Sequence, residues 1–488
     1  MNDHMVSQSQ YLSDFTGNSS IISIADKSGF AQKKAERRLL FISYAFPPTG
    51  GGGVQRAAKF AKYLPSHGWN PTVLTVENPS VPVQDNDLSS ELDPRTNIIR
   101  ARTWEPRYGL KKQLTASSQS GSNTIRRALR RICMRFLQPD PQILWNRSAF
   151  RLAAKTLRNQ AHDVILVTGP PFSSFLLGCN LKKHFGLPLV LDFRDEWLIA
   201  CQYLENHEHD GASFRRQHAM MQRALKAADA IIATSMASAG ELARHCSQAN
   251  SSATVDCIYN GYDPDDMLRP ARDNFDSPKL RIVYTGTLWK LTDISPLVSA
   301  LLRLQRLAPQ LSSRIELIIA GRQTQPQREV LERLAGSAIS VVLHEYLPHS
   351  QSLQLAYTAD LLVLLLADEP GTERVVPAKI FEYLALQKPI LAISALGETS
   401  DLLKQYSRSF LFKPDQIESI SNWLHDQLQD WPDCSSLQAD AAIPCSTQIT
   451  QFSRPYLTGQ LANILEATHS KYERTTRSAQ KPLTHSIV

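Results

Sequence analysis

Short runs of apolar residues alternate with amphipathic stretches along most of the chain. This alternation predicts strands separated by helices, as in β/α units built around a parallel sheet. Unbroken runs of Val, Ile and Leu indicate strands that are covered on both faces. We therefore predict an α/β protein with doubly wound parallel sheets. The segments that fit a strand best are 38–43, 71–75, 163–168, 187–192, 230–234, 281–285, 315–320, 340–344, 361–366 and 389–393.

The series of strands is interrupted once, by a stretch rich in Pro, Asp and Asn that has no periodicity and is typical of an interdomain linker. Two domains joined there would enclose a ligand cleft between the carboxyl ends of their sheets. Both chain ends are polar and without sustained periodicity, which indicates disorder. The predicted organisation is a disordered tail (1–36), an N-terminal Rossmann-like domain (37–265), the linker (266–279), a C-terminal Rossmann-like domain (280–450), a final helix (451–469) and a second disordered tail (470–488).

The composition of the chain argues against a secreted protein, a membrane-spanning protein and a protein held together by disulfides or zinc. Apolar residues make up 42% and charged residues 20% of the 488, which is ordinary for a protein with large cores. The longest apolar runs fall well short of the roughly 20 residues that a membrane-spanning helix needs. The first residues lack the pattern of a secretory signal. Seven scattered cysteines without a CxxC pair argue against a disulfide framework or a zinc site, so we expect a cytoplasmic protein.

Positive charge is concentrated in one segment. The net charge is +7, from 53 basic and 46 acidic residues, and residues 107–136 contain eight basic residues and no acid. Within this basic amphipathic segment, 107–137 in the domain scheme, apolar residues from Ile125 to Phe136 fall on one helical stripe. Such a helix suits an anionic membrane surface or packs on its own domain; without interleaved aromatic residues, nucleic acid is disfavoured. The arginines off the stripe are Arg126, Arg127, Arg130 and Arg131.

Four consecutive glycines, residues 50–53, follow the first strand in a chain that has only 21 glycines. A glycine-rich turn before a helix lets a ligand approach the backbone, and its N–H groups favour anions. A tight turn that binds nothing remains the alternative. The run does not match GxGxxG and no GKS or GKT occurs, which argues against a Rossmann dehydrogenase and a P-loop ATPase.

Two segments of the second half carry groups suited to a diphosphate. YTGTLWK places Gly286 at a strand end and Lys290 four residues later. VVPAKIFEYLALQKPIL places Lys379 and Glu382 on one face of a helix. A helix N-terminus can receive a phosphate and a carboxylate can accept hydrogen bonds from sugar hydroxyls. An ordinary surface ion pair between Lys379 and Glu382 is the alternative.

A cluster of charges ends a buried strand in the first half, in the segment DFRDEW, and should point into the cleft. Asp192, Arg194, Asp195 and Glu196 could bind an acceptor, supply a base or pair with one another.

Taken together, these segments resemble a bacterial family 4 (GT4-like) glycosyltransferase with the two-domain GT-B fold. The resemblance covers roughly residues 38–468, with its motifs in the family's order. It rests on FPPTGGGGVQR, TGPPFSS, DFRDEW, IYNGYD, YTGTLWK and VVPAKIFEYLALQKPIL.

The resemblance implies transfer of a sugar from a nucleotide-diphosphate-sugar to a hydroxyl acceptor, with no metal or other cofactor, and favours retention of configuration. By this analogy Gly51 and Gly52 approach the donor phosphates or the acceptor. Lys290 neutralises the diphosphate, Glu382 holds the ribose and Glu373 holds the transferred sugar. The remaining donor-binding candidates are Gly286, Lys379 and Arg322.

Two positions depart from the family pattern. The family often has two glutamates eight residues apart, but Arg374 stands eight residues before Glu382, with Glu373 one position off. Only Lys290 matches the family's basic pair, and Arg322 is a substitute for the missing arginine. Asp195 is the candidate base if the reaction inverts configuration.

The basic segment suggests a lipid-linked or saccharide acceptor in surface polysaccharide assembly, with an anionic membrane as an additional partner at the inner face of the plasma membrane. Two alternatives stay open: a nucleotide-sugar epimerase of the same fold, and a non-catalytic scaffold associated with the membrane.

Overall fold

A computed structural model describes most of the chain, and its described residues belong to one compact unit. The predicted tail 1–35, the linker residues 268–278 and nearly all of the basic segment lie outside the described part. The described residues are 36–79, 85, 87–105, 137–203, 211–267, 279–431 and 449–479.

The N-terminal domain contains a parallel sheet of seven strands in the order β3-β2-β1-β4-β5-β6-β7. The central strand β1 pairs with β2 through Phe41 and Val73, and with β4 through Phe41 and Leu166. The strands are β1 (Arg37–Ser43), β2 (Trp69–Val76), β3 (Asn97–Ala101), β4 (Val164–Gly169), β5 (Leu189–Phe193), β6 (Ala230–Ala233) and β7 (Thr254–Cys257).

The C-terminal domain contains a second parallel sheet, with six strands in the order β10-β9-β8-β11-β12-β13. The two sheets confirm the predicted doubly wound α/β class. The strands are β8 (Leu280–Thr285), β9 (Ile315–Ala320), β10 (Ser340–His344), β11 (Leu361–Leu366), β12 (Ile390–Ser394) and β13 (Ser409–Phe412).

Helices connect the parallel strands and cover both faces of each sheet. In the described part of the chain they are α1 (Gly52–Tyr63), α2 (Asp87–Ser90), α3 (Asn146–Asn159), α4 (Ser173–Phe185), α5 (Trp197–Tyr203), α6 (Gly211–Ala227), α7 (Met236–Gln248), α8 (Ser295–Leu307), α9 (Pro309–Ser312), α10 (Gln325–Glu332), α11 (His349–Tyr357), α12 (Lys379–Leu386), α13 (Glu398–Lys404), α14 (Ile417–Gln429) and α15 (Arg454–Ala479).

Helix α15 packs on the N-terminal domain although it follows the C-terminal one in sequence. Leu457, Leu461 and Leu465 lie in the same buried cluster as Phe41 and Trp69. Removing this apolar stripe from water explains why the chain crosses back over the domain boundary.

The end of α15 corrects the predicted tail. The helix runs to Ala479, so the prediction of disorder from residue 470 is wrong for residues 470–479. Lysine, glutamate, arginine and alanine are good helix formers, and no Gly or Pro interrupts them before Pro482. The polar composition that suggested a tail therefore belongs to an extension of the helix; residues 480–488 lie outside the description.

The strand order of each sheet reverses next to its central strand, between β1 and β4 and between β8 and β11. In an open α/β sheet, the crevice at such a reversal is where ligands bind. The loops after these four strands contain the glycine run, the TGPP segment, YTGTLWK and the residues that precede α12. No helix in the described residues is long and apolar enough to span a membrane.

Candidate functional site in the interdomain cleft

The glycine run leaves the N-terminus of α1 open. Gly51 has a φ of +104°, a left-handed value that favours glycine. A Cβ added at Gly51 or Gly52 would meet no atom within 4 Å, and no side chain caps the helix. The first N–H groups of α1 are therefore accessible to a phosphate or a hydroxyl oxygen.

Arg194 ties the glycine loop to the neighbouring strand end. Its guanidinium donates hydrogen bonds to the carbonyl oxygens of Gly53 and Pro170. Burial lowers the pKa of this guanidinium. Arg194 thus holds together the loops after β1 and β4, and it does not pair with the acids beside it in sequence.

A buried ion pair between Arg56 and Asp192 joins α1 to β5. The Nη2 and Nε atoms of Arg56 lie 2.9 and 3.2 Å from Oδ1 of Asp192, and both side chains are almost fully buried. Thr168 donates a further hydrogen bond to the carboxylate at 2.8 Å. Nη1 of Arg56 donates to the carbonyl oxygen of Tyr259 at 2.8 Å. This network positions the helix whose N-terminus faces the cleft.

Asp195 is the one acid of the DFRDEW segment without a described hydrogen bond or ion pair. Its side chain is exposed to solvent in the cleft. Desolvation by the protein around it raises the pKa of the carboxyl, and the charge of Arg194 offsets part of this effect. A carboxylate with a raised pKa and a free edge is suited to accept a proton.

Glu196, the next residue, pairs across the cleft with Arg374 of the C-terminal domain. The two Arg374–Glu196 hydrogen bonds are 2.8 and 3.1 Å long. Arg374 also donates to Glu373, whose other oxygen accepts from the N–H of Gly371 at 2.8 Å. The residue that departs from the family's paired-glutamate spacing is therefore a cation that bridges the two domains. Asp192, Arg194 and Glu196 each contact another segment, so the alternative that the charges of DFRDEW pair with one another is not realised.

Further contacts close the cleft on the same side. The N–H groups of Met236 and Ala237, at the start of α7, each donate to the Glu398 carboxylate at 2.7 Å. Tyr259 donates to the same carboxylate at 2.6 Å. An acid of the C-terminal domain thus occupies a helix N-terminus of the N-terminal domain, where the helix dipole favours negative charge.

Lys379 and Gly286 lie side by side in the C-terminal domain. A Cβ added at Gly286 would lie 2.6 Å from Nζ of Lys379, and the φ of +122° also favours glycine. The ammonium lies 4.0 Å from the centre of the Tyr284 ring, and burial lowers its pKa. No hydrogen bond or ion pair to Lys379 occurs among the described residues. An unpaired cation therefore stands at the uncapped N-terminus of α12.

Lys290 and Arg322 occupy the loops after β8 and β9. Nζ of Lys290 lies 3.2 Å from Glu369 and 4.9 Å from the centre of the Tyr203 ring. Tyr203 belongs to the N-terminal domain, so Lys290 also bridges the cleft. Arg322 is exposed, and its guanidinium has no described partner. A cavity of about 500 Å³ borders Lys290 and Glu369 and has the size of a small-molecule site.

Glu382 accepts a hydrogen bond of 2.8 Å from Nε2 of His349. Nδ1 of the same ring lies 3.8 Å from Asp266, at the end of the N-terminal domain. The alternative of a surface ion pair between Lys379 and Glu382 is not realised, because Lys379 faces Gly286 and Glu382 faces His349.

Three acids near the linker, Glu91, Asp263 and Asp266, form the group of potential metal ligands in the described residues. The ammonium of Lys59 lies among them, 2.8 Å from both Asp263 and Asp266. Lys62 also contacts Glu91 and Asp263, so two lysines of the protein offset part of the negative charge of the three acids.

Sequence reasoning missed His349, the Arg56–Asp192 pair and the bridging role of Arg374. His349 follows β10 within LPHS, and its position after a strand could have marked it as a cleft residue. The other two could not be found in this way, because their partners are 136 and 178 residues away in sequence. Of the predicted membrane-binding residues, Arg126, Arg127, Arg130 and Arg131 lie outside the described residues.

Solved structures share the fold over nearly the whole chain. The trehalose 6-phosphate synthase of Burkholderia multivorans matches with a TM-score of 0.59 and 11% identity, covering 92% of this chain and 100% of its own. HepE of Anabaena, solved with UDP and glucose, matches with a TM-score of 0.54 and 16% identity, covering 88% and 100%. Sucrose-phosphate synthase from Thermosynechococcus elongatus matches with a TM-score of 0.53 and 15% identity, covering 91% of this chain and 99% of its own. These likenesses establish the GT-B fold. A search of curated proteins gave no significant match.

Family models match both domains in turn. Residues 50–266 match the model described as Glycosyltransferase Family 4, and residues 279–430 match that of Glycosyl transferases group 1. The matches contain the glycine loop, the DFRDEW segment, Gly286, Lys379 and Glu382, which line the cleft between the two sheets. The chain therefore belongs to the family 4 type of glycosyltransferases and is an enzyme of that class.

Proposed function

We propose that the enzyme transfers a sugar from a nucleoside-diphosphate-sugar to a hydroxyl group of a lipid-linked or saccharide acceptor, in the assembly of a surface polysaccharide or glycoconjugate. The observation that carries the donor assignment is the unpaired ammonium of Lys379 beside Gly286, at the open N-terminus of α12. A cation and a helix N-terminus that share one point favour a bound phosphate. HepE, which has the same fold, binds UDP and glucose.

The other donor contacts follow from the positions of the side chains around Lys379. Glu382 lies three residues after Lys379 on α12. The carboxylate oxygen that does not contact His349 can accept a hydrogen bond from a ribose hydroxyl. Lys290 and the exposed Arg322 contribute positive charge from the loops after β8 and β9. Glu373 is the proposed contact to the transferred sugar, and its carboxylate is shared with Arg374.

Breaking the glycosidic bond places negative charge on the departing diphosphate. Lys379, the N-terminus of α12 and Lys290 are preorganised to stabilise that charge, so the proposed reaction needs no metal ion. On the other side of the cleft, Gly51 and Gly52 leave space for the acceptor or the donor phosphates. We propose retention of configuration, with the departing phosphate taking the acceptor proton. In an inverting reaction Asp195 would be the base.

The donor assignment predicts stabilisation by one nucleoside diphosphate. Thermal unfolding is measured with UDP, GDP, dTDP, ADP, CMP or NAD in the presence of EDTA. At a concentration 100 times its dissociation constant, the correct nucleotide should add about 2.7 kcal/mol to the free energy of unfolding. The Glu382→Ala variant should lose most of this stabilisation. Glu418→Ala, an exposed acid on α14 paired with Arg303, should keep it.

Failure of every nucleoside diphosphate to stabilise the protein would contradict the donor assignment. Conversion of the nucleotide-sugar without transfer would indicate the epimerase, and binding without any turnover would indicate the scaffold.

For the acceptor side, we propose that the basic segment binds the anionic inner face of the plasma membrane, with the enzyme held there as a peripheral cytoplasmic protein. Trp104, three residues before the segment begins, is 78% exposed. Tryptophan is common at membrane interfaces and clustered arginines attract anionic lipids.

Vesicle flotation tests this membrane association. The full chain should float with phosphatidylglycerol–phosphatidylcholine vesicles and stay at the bottom with pure phosphatidylcholine. Replacing Arg126, Arg127, Arg130 and Arg131 with Gln should abolish flotation. Changing four exposed basic residues of α3, Arg147, Arg151, Lys155 and Arg158, to Gln provides a control of equal charge and should preserve it. Equal flotation of both variants would rule out the segment as the membrane site.

A further inference from the structure

His349 lies between a residue proposed to bind the donor and Asp266, near the end of the N-terminal domain. It is the first residue of α11, and its Nε2 is 2.8 Å from Oε1 of Glu382. Its Nδ1 is 3.8 Å from Oδ2 of Asp266. The imidazole therefore has one carboxylate at each nitrogen, one from each side of the domain junction.

Asp266 is itself held by the N-terminal domain. Its Oδ1 lies 2.8 Å from Nζ of Lys59, and the same ammonium lies 2.8 Å from Asp263. The Lys59 side chain is 2% exposed and that of Asp263 1% exposed, so this pairing is protected from water. Lys59 belongs to α1, whose open N-terminus faces the cleft. A continuous series of charged contacts thus links Glu382 to α1.

We propose that His349 is a positioning residue that orients the Glu382 carboxylate toward the ribose hydroxyls of the donor and connects it to Asp266 of the N-terminal domain. This role rests on the proposed donor-binding function. With Oε1 engaged by His349, Oε2 of Glu382 stays free to accept a hydroxyl hydrogen. The same ring also faces Asp266, so it links Glu382 to the charged contacts of α1.

The charge of His349 supports both contacts. Burial alone would lower the pKa of the imidazole, but the charges of Glu382 and Asp266 outweigh it and raise the pKa above the ordinary 6.5. The imidazolium donates one hydrogen bond from Nε2 to Glu382 and attracts Asp266, 3.8 Å from Nδ1, through its charge, which the neutral ring does not carry. Among the described residues, the charged groups that also face this site include Lys59 from α1, Arg454 from α15 and the cavity-lining acids Asp85, Glu91 and Asp265.

The direction in which the pKa of His349 is moved predicts how the orientation of Glu382 depends on pH. The raised pKa means that the charged ring is present at low pH and is lost as pH rises through the folded-state value. Orientation of Glu382 should therefore weaken with rising pH in the wild-type protein. A glutamine at position 349 would donate one hydrogen bond and would not titrate.

The test compares binding of UDP with binding of 2′,3′-dideoxy-UDP by calorimetry, with the corresponding GDP and ADP pairs used in the same way. The full chain should prefer the ribonucleotide by about tenfold, the effect of one hydrogen bond to a charged group. His349→Leu should remove most of this preference and leave affinity for the dideoxy analogue unchanged. His349→Gln should restore it. His425→Leu, which replaces a partly exposed histidine on α14 far from Glu382 in sequence, serves as the control.

The ratio of the affinity for the ribonucleotide to the affinity for its dideoxy analogue is then measured as a function of pH. It should fall in the wild type as pH rises above the pKa of His349 and stay level in His349→Gln. Titration of Lys379 affects binding of both nucleotides equally, because both carry the same diphosphate, so its effect cancels in this ratio. In a Glu382→Ala background, His349→Leu should have no further effect on the ratio.

Two outcomes separate this inference from the proposed function. If the wild type binds none of the nucleotides, the proposed function fails and the role of His349 fails with it. If the wild type binds and Glu382→Ala loses the ribose preference, but His349→Leu keeps it, only the positioning role is overturned. An equal loss of affinity for both analogues in His349→Leu would also overturn it, since that is the result of a merely structural defect.

Discussion

Replacing Lys379 with alanine is expected to lower kcat/KM for the nucleotide-sugar by at least about 100-fold, the effect of removing one preorganised stabiliser of transition-state charge. The ammonium has no described partner in the protein and lies beside Gly286, so its proposed partner is the donor phosphate. Steady-state kinetics with the donor identified by thermal stabilisation measures the change. The alanine variant should fold normally, because no intramolecular ion pair is broken.

Lys404→Ala is the matched control for this experiment. Lys404 is also a helical lysine, but it is exposed and paired with Asp401 three residues earlier. Its replacement should leave kcat/KM unchanged. Burial lowers the pKa of Lys379, so wild-type activity should decline as pH rises through that lowered value. Wild-type kinetics in the Lys379→Ala variant would exclude the proposed phosphate contact.

Replacing Arg56 with methionine is expected to reduce the free energy of unfolding by about 3–5 kcal/mol, since it leaves the buried carboxylate of Asp192 without its counter-ion. Among the described residues, the Thr168 hydroxyl, at 2.8 Å, is the one group that would still donate to that carboxylate. The substitution also removes the hydrogen bond from Arg56 to the carbonyl oxygen of Tyr259. Urea denaturation followed by circular dichroism measures the loss.

Two further variants test whether the unpaired carboxylate of Asp192 causes the loss of stability. Arg244→Met breaks an exposed ion pair with Glu241 on α7 and should change stability by no more than about 1 kcal/mol. The double replacement Arg56→Met with Asp192→Leu removes both buried charges and should recover much of the loss, because an apolar pair needs no counter-ion. A double variant as unstable as Arg56→Met alone would show that the contribution of Arg56 is not its charge.

Much of the sheet structure could be predicted because the strands are covered on both faces. All ten predicted strands occur, with ends shifted by up to two residues. The three that were missed, β3, β7 and β13, are edge strands of their sheets. Each has only one neighbouring strand, and their residues are mostly part-exposed, so their sequences lack a continuous apolar run.

The candidate site was predicted less completely, and for a different reason. Gly51, Gly286, Lys379 and Glu382 lie where strands end or helices begin, and such positions can be recognised locally. The sequence showed that Arg374 departs from the family's spacing of two glutamates. It did not show that Arg374 bridges the two domains, because its partner Glu196 lies 178 residues away. His349, the partner of Glu382, could not be found from the helix alone, since helical spacing shows which residues share a face and not what lies opposite.

The sequence by itself determined the α/β class, ten of the thirteen described strands in their order, and the loops that follow those strands. These follow from apolar periodicity and from the backbone freedom of glycine, which act over a few residues. Only the tertiary structure decided which charges pair: Arg56 with Asp192, Arg374 with Glu196, and His349 with Glu382. Electrostatic pairing depends on distance in space and on burial, and the fold sets both by bringing together residues that are far apart along the chain.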